Sequence, residues 1–125
     1  MAAGILVHTV VGLAPVTDLA GCARDGALEG TCAFVVGAPP DEAPGRYDRF
    51  SPLALVPLGV PQRLFHGAID NVVPLSDNEA YVNAATAAGD DATLTVQPDA
   101  NHFTVLEPDS PAWAQVRDTI EQLLG

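Results

Sequence analysis

In the second half of the chain the hydrophobic period changes three times, and that alternation narrows the folds open to it. Pro61 opens the apolar run QRLFHG, expected as a strand over 62–66, because proline is tolerated where a strand begins. Ser76-Asp77-Asn78-Glu79 has the form of a capping box, in which Ser76 would cap a helix and Glu79 would reach back to the Ser76 amide. Ala80, Tyr81, Ala84, Ala85 and Ala88 mark one face of a helix over 77–88, and Gly89 fits the position just past its end. The segment 92–97, ATLTVQ, alternates around Leu94 and Val96 as a strand does. Ser110 and Pro111 then open a last helix over 111–124, with Trp113, Val116, Ile120, Leu123 and Leu124 as its apolar stripe.

The first half is less regular. ILVHTVVGL, residues 5–13, reads as a buried strand ended by Ala14-Pro15. The segment 16–52 is expected to be irregular and lid-like. It begins with Thr17 and Asp18, both competent to cap a short helix within 16–26, and its proline-rich part, 37–52, has room for at most one helical turn. Strands that alternate with helices imply right-handed crossovers and a parallel sheet, here of about three strands. The predicted class is α/β.

A chain of 125 residues is one domain. Its five arginines, absent lysines and sixteen acidic residues give a formal charge of −11, which argues against nucleic acid or an anionic membrane as partner. The apolar start lacks a basic flank and does not read as a signal peptide, so a cytoplasmic protein is expected. Cys22 and Cys32 lie ten positions apart; a bridge between them is geometrically open, but two cysteines do not make a secreted scaffold, and free thiols are expected.

Functional groups of open α/β sheets gather just beyond the carboxyl ends of the strands. Asp70 follows the 62–66 strand and His102 comes five residues after Gln97, each in a loop leaving a strand. If those strands are neighbours, they run about 4.8 Å apart and the two side chains can meet. The carboxylate would then fix the imidazole tautomer and stabilise the imidazolium formed when histidine takes a proton. Taken singly, an aspartate in a turn usually bonds nearby amides, and an isolated histidine usually serves structure. His66 in its His-Gly turn and His8 in the first strand are read that way. A metal held by His66, Asp70, Asp99 and His102 lacks ligand spacing, so neither metal nor cofactor is expected.

H-G-x-x-D-x-x-V-P, carried by His66, Gly67, Asp70, Val73 and Pro74 and followed by a helix, a strand and His102-Phe103, resembles the C-terminal half of the α/β-hydrolase superfamily. The flavour is that of small esterases and of kynurenine-formamidase-like or prolyl-oligopeptidase-like hydrolases. The resemblance implies that Asp70 is the acid and His102 the base of a Ser-His-Asp triad, acting on a small-molecule ester or amide. Such enzymes place the serine in a G-x-S-x-G elbow, and none occurs here. Ser76 and Ser110 read as helix caps and Ser51 as a loop residue. The nearest imitation, GTCAF at 30–34, would make Cys32 the nucleophile, but no buried strand leads into it. An HGG-type oxyanion loop is absent too. Arg63, Ala68 and Asn101 depart from the usual pattern.

The sequence therefore predicts the C-terminal part of an acyl hydrolase whose serine lies in sequence not present in this chain. The rival is a non-catalytic α/β fragment acting, if at all, as an interaction module. The long apolar first strand, left at an open edge, should drive self-association or need a missing N-terminal half. Tyr47 and Phe50 are expected to line the acyl or leaving-group pocket.

Overall fold

The computed structural model describes residues 4–25 and 27–125. The first three residues of the apolar start and Gly26, at the end of the expected 16–26 helix, lie outside the described residues. Three strands, β1 (Val10–Leu13), β2 (Gln62–Gly67) and β3 (Ala92–Gln97), form a parallel sheet in the order β1-β2-β3. Between β1 and β2 run four short helices, α1 (Leu19–Asp25), α2 (Glu29–Val36), α3 (Pro44–Phe50) and α4 (Pro52–Leu55). Helix α5 (Leu75–Ala87) crosses from β2 to β3, and a 3-10 turn (Thr104–Leu106) precedes α6 (Pro111–Leu124).

Successive residues of β2 face opposite ways, so Leu64 and Phe65 seed two cores. Phe65 packs with Ala100, Val105, Ala112 and Val116 under α6, joined by Trp113 and Ile120. Leu64 packs with Tyr81, Ala85 and Ala92 under α5, joined by Leu53 and Val56. The sheet thus lies between two helical layers, as the alternating pattern predicts. Arg63 departs from an apolar strand pattern because it sits at the strand's start, where it forms a bidentate pair with Asp91 at 2.9 and 3.1 Å.

Several expectations are corrected. The first strand starts at Val10, not Ile5. Val10 already bonds the Pro61 carbonyl at the beginning of β2, so nothing remains for residues 5–8 to pair with, and Ile5 is 92% exposed. The proline-rich segment holds the seven-residue α3 and opens α4 at its last residue, because Pro44 and Pro52 each stand at a first helical turn, where proline's missing N–H costs nothing. The capping box does not form: α5 starts at Leu75 after Pro74, and no side chain caps it. Its inward stripe is Asn78, Tyr81 and Ala85, whereas Ala80 and Ala88 are exposed. Leu123 and Leu124 likewise face outward. Asp18, rather than Thr17, caps α1 through the Gly21 amide at 2.9 Å. Ser110 caps α6 as expected, accepting from the Trp113 amide at 3.0 Å.

The cysteines are not free. α1 and α2 fold back on each other and bring Cys22 and Cys32 to a Cα separation of 6.2 Å, where they form a disulfide. Ten-residue spacing alone cannot show that two helices turn to face each other, which is why the sequence left the bridge open. The bond also removes Cys32 as a nucleophile. Tyr47 is another correction: it is buried, and its hydroxyl donates to the Ala38 carbonyl at 2.7 Å, so it braces the helical segment rather than lining a pocket. Phe50 is exposed beneath the Arg49 guanidinium.

Candidate active site

The loops that leave β2 and β3 are stitched together before any side chain is considered. The Ala68 amide donates to the Gln97 carbonyl at 2.9 Å, and the Ile69 amide to that of Ala100 at 3.2 Å. Gly67 makes this approach possible, since a Cβ there would run into the Ala100 carbonyl, with its carbon at 2.6 Å. The His-Gly pair of the sequence is therefore the end of a strand pressed against the neighbouring loop.

Asp70 stands at the end of that turn with its side chain fully buried. One oxygen, Oδ1, accepts from the Val72 and Val73 amides at 2.8 and 2.9 Å. The other, Oδ2, accepts from His102 Nδ1 at 2.8 Å. Burial alone would push the carboxyl up; the hydrogen bonds from Val73, His102 and Val72 more than offset it, and its pKa lies below the ordinary 3.8. Both residues singled out from the sequence are thus brought together. A carboxylate can only accept, so Nδ1 of His102 carries a proton, and in the neutral ring the lone pair is on Nε2.

The His102 loop is held by Asn101, whose Oδ1 accepts from the Phe103 and Thr104 amides, each at 2.9 Å. An asparagine where a glycine is usual therefore builds an Asx turn that opens the 3-10 segment. The ring is partly exposed and meets Phe103 edge to face, centroids 5.2 Å apart. Phe103, Ile69 and Leu106 are all more than half exposed around these loops. A cavity of about 270 Å³ opens between α1 and the Asp70 turn, with Val16, Cys22 and Leu28 on one side and Val72, Val73 and Pro74 on the other.

Ser51 and His66 are tied into the structure, and Ser110 caps α6. Ser51 Oγ is buried, accepts from the Leu19 amide at 3.1 Å and donates to the Thr17 carbonyl at 3.3 Å. His8 is exposed and precedes β1. His66 is buried and hydrogen-bonded at both ring nitrogens, to Val73 and to Asn78. Sequence reasoning missed Asn78. The signal was its spacing to Tyr81 and Ala85, three and seven residues on, which places it on the inward face of α5. Among the described residues, no group of three or more His, Cys, Asp or Glu side chains could hold a metal ion.

Comparison with solved structures gives the fold its wider frame. Puromycin hydrolase, of the prolyl oligopeptidase family, is 26% identical with a TM-score of 0.66; the match covers 75% of this chain and 15% of that one. Thermogutta terrifontis esterase 2 phosphonylated by sarin is 22% identical with a TM-score of 0.71, covering 94% of this chain and 43% of that one. The butyrate-bound form of the Thermogutta terrifontis esterase is 20% identical with a TM-score of 0.68, covering 94% and 42%. The chain thus has the fold of part of an α/β-hydrolase, spans less than half the length of these proteins, and is similar to esterase and peptidase members of that fold. No family model matches the chain, and no curated protein matches it.

Proposed function

We propose that this chain, with the fold of part of an α/β-hydrolase, supplies the acid and base of an acyl hydrolase whose nucleophile lies outside it. The observation that carries the reading is the 2.8 Å bond from His102 Nδ1 to a fully buried Asp70 carboxylate, at the carboxyl ends of adjacent parallel strands. In this reading His102 Nε2 takes the proton of a serine hydroxyl as its oxygen attacks the substrate carbonyl. The imidazolium, stabilised by Asp70, returns that proton to the leaving alcohol or amine as the acyl bond breaks. Water, deprotonated by the same nitrogen, then releases the acid and frees the serine.

The chain's own candidates do not fit the nucleophile's role, since Ser51 is hydrogen-bonded in the interior and Cys32 is bridged. That favours a serine in a preceding G-x-S-x-G, and it also sustains the rival of a non-catalytic module. The solved esterase is recorded with butyrate and with propionate bound, so short acyl esters are the first substrates to try. The polypeptide encoded together with the sequence before residue 1 should hydrolyse them. Asp70→Asn should lower its kcat by about 10⁴-fold and His102→Ala by about 10⁶-fold. Full activity in either variant would contradict the reading, and an extended polypeptide with no hydrolytic serine would favour the rival.

A further inference from the structure

We infer that His66, oriented by Asn78, is a positioning residue for the Asp70–His102 pair, an inference that rests on the acid–base reading of that pair. His66 and Asn78 are among the largest fully buried side chains, and their hydrogen bonds run in one direction only. The Pro15 carbonyl can only accept, so the group facing it at 3.0 Å is the Asn78 amide nitrogen. The same nitrogen lies 2.9 Å from His66 Nδ1, which must therefore be the accepting nitrogen of the ring. On the far side, Asn78 Oδ1 accepts from the Thr17 hydroxyl at 2.7 Å, and every polar atom of the amide is used.

With its lone pair on Nδ1, His66 carries its proton on Nε2 and donates to the Val73 carbonyl at 2.9 Å. Val73 is thereby held at both ends, because its amide donates to Asp70 Oδ1 at 2.9 Å. The same His66 Nε2 lies 3.6 Å from Asp70 Oδ2, the oxygen that accepts from His102. The N–H given to Val73 thus keeps its positive end near the carboxylate, while the Val73 turn fixes the plane of that carboxylate. The network starts in the turn after β1, passes through the first turn of α5 and ends on the loop after β2. It ties all three to the orientation of a single carboxylate. Were the ring reversed, a lone pair would face the Val73 carbonyl and the carboxylate together.

The test reads the tautomer of His102, which loss of stability alone does not change. In the full chain labelled with ¹⁵N, long-range correlations from the carbon-bound ring protons at alkaline pH should show His66 protonated on Nε2 and His102 on Nδ1. Asp70→Asn should move His102 to a mixture of tautomers. If it does not, the reading of the Asp70–His102 pair itself fails. His66→Phe should move His102 to the mixture as well, whereas His66→Gln, whose amide can still donate to Val73, should keep it on Nδ1. A folded His66→Phe protein with His102 wholly on Nδ1, beside an Asp70→Asn protein that has shifted, would overturn this inference alone. Should His66→Phe not fold, Asn78→Ala serves instead. It should mix the tautomers of both His66 and His102, and an unmoved His102 would overturn the inference in the same way.

Discussion

Gly67 is the residue on which the meeting of the two loops depends. Gly67→Ala forces a methyl group into the Ala100 carbonyl, which can yield only by parting the Asp70 and His102 loops. The expected cost is about 1–3 kcal/mol in denaturant unfolding, together with exchange broadening of the His102 ring. A variant as stable as the parent would show that the loops are not pressed together. Titration gives a second residue-scale prediction. Hydrogen bonds hold Asp70 and Asp90 below the ordinary carboxylate value, in Asp90 chiefly those from the Leu58 and Gly59 amides. A carboxyl lowered on folding contributes stability above its unfolded value of 3.8, lost as pH falls through the folded one. Asp77 runs the other way, since burial and then Asp18 raise it. Its stabilising share is fully present below the unfolded value and is lost as pH rises through the folded one. Asp77→Asn should therefore raise the melting temperature at neutral pH and leave it unchanged near pH 3, and a lower melting temperature at neutral pH would contradict that sign.

At the scale of elements, the disulfide is the feature with most to test. It joins α1 to α2 across ten positions, and removing it with Cys22→Ser/Cys32→Ser should cost about 2–3 kcal/mol by the chain-entropy estimate. Mass spectrometry with and without reductant shows whether the native thiols are bridged, and it bears on compartment, because disulfides rarely persist in a reducing cytoplasm. Ser110→Ala removes the cap of α6 and should cost about 1 kcal/mol. β2, β3 and α6 were legible in the sequence because each carries its own period and its own end signal. The Asp70–His102 pair was legible for the same reason, since each residue lies in the loop that leaves a readable strand. What was not legible depends on partners elsewhere. Ile5 to Thr9 look like strand, yet β2 begins too late to pair with them. Asn78 looks like a polar first-turn residue until His66 and Thr17 stand around it.

For the whole molecule the open edge of β1 and the exposed Ile5, Leu6 and Val7 beside it set the expected behaviour. An unpaired apolar edge invites another strand, while a charge of −11 opposes association of identical chains. Light scattering should therefore show association that grows with salt, and a monomer at all concentrations and ionic strengths would contradict it. The central claim is that Asp70 and His102 serve a serine this chain does not contain. Fluorophosphonate labelling with mass mapping tests it most directly, applied to the chain alone and to the polypeptide extended by its preceding sequence. The account predicts no label on the chain and stoichiometric label on a G-x-S-x-G serine of the extended form, lost in His102→Ala. Stoichiometric label on Ser51 or any other residue of the chain itself would contradict it.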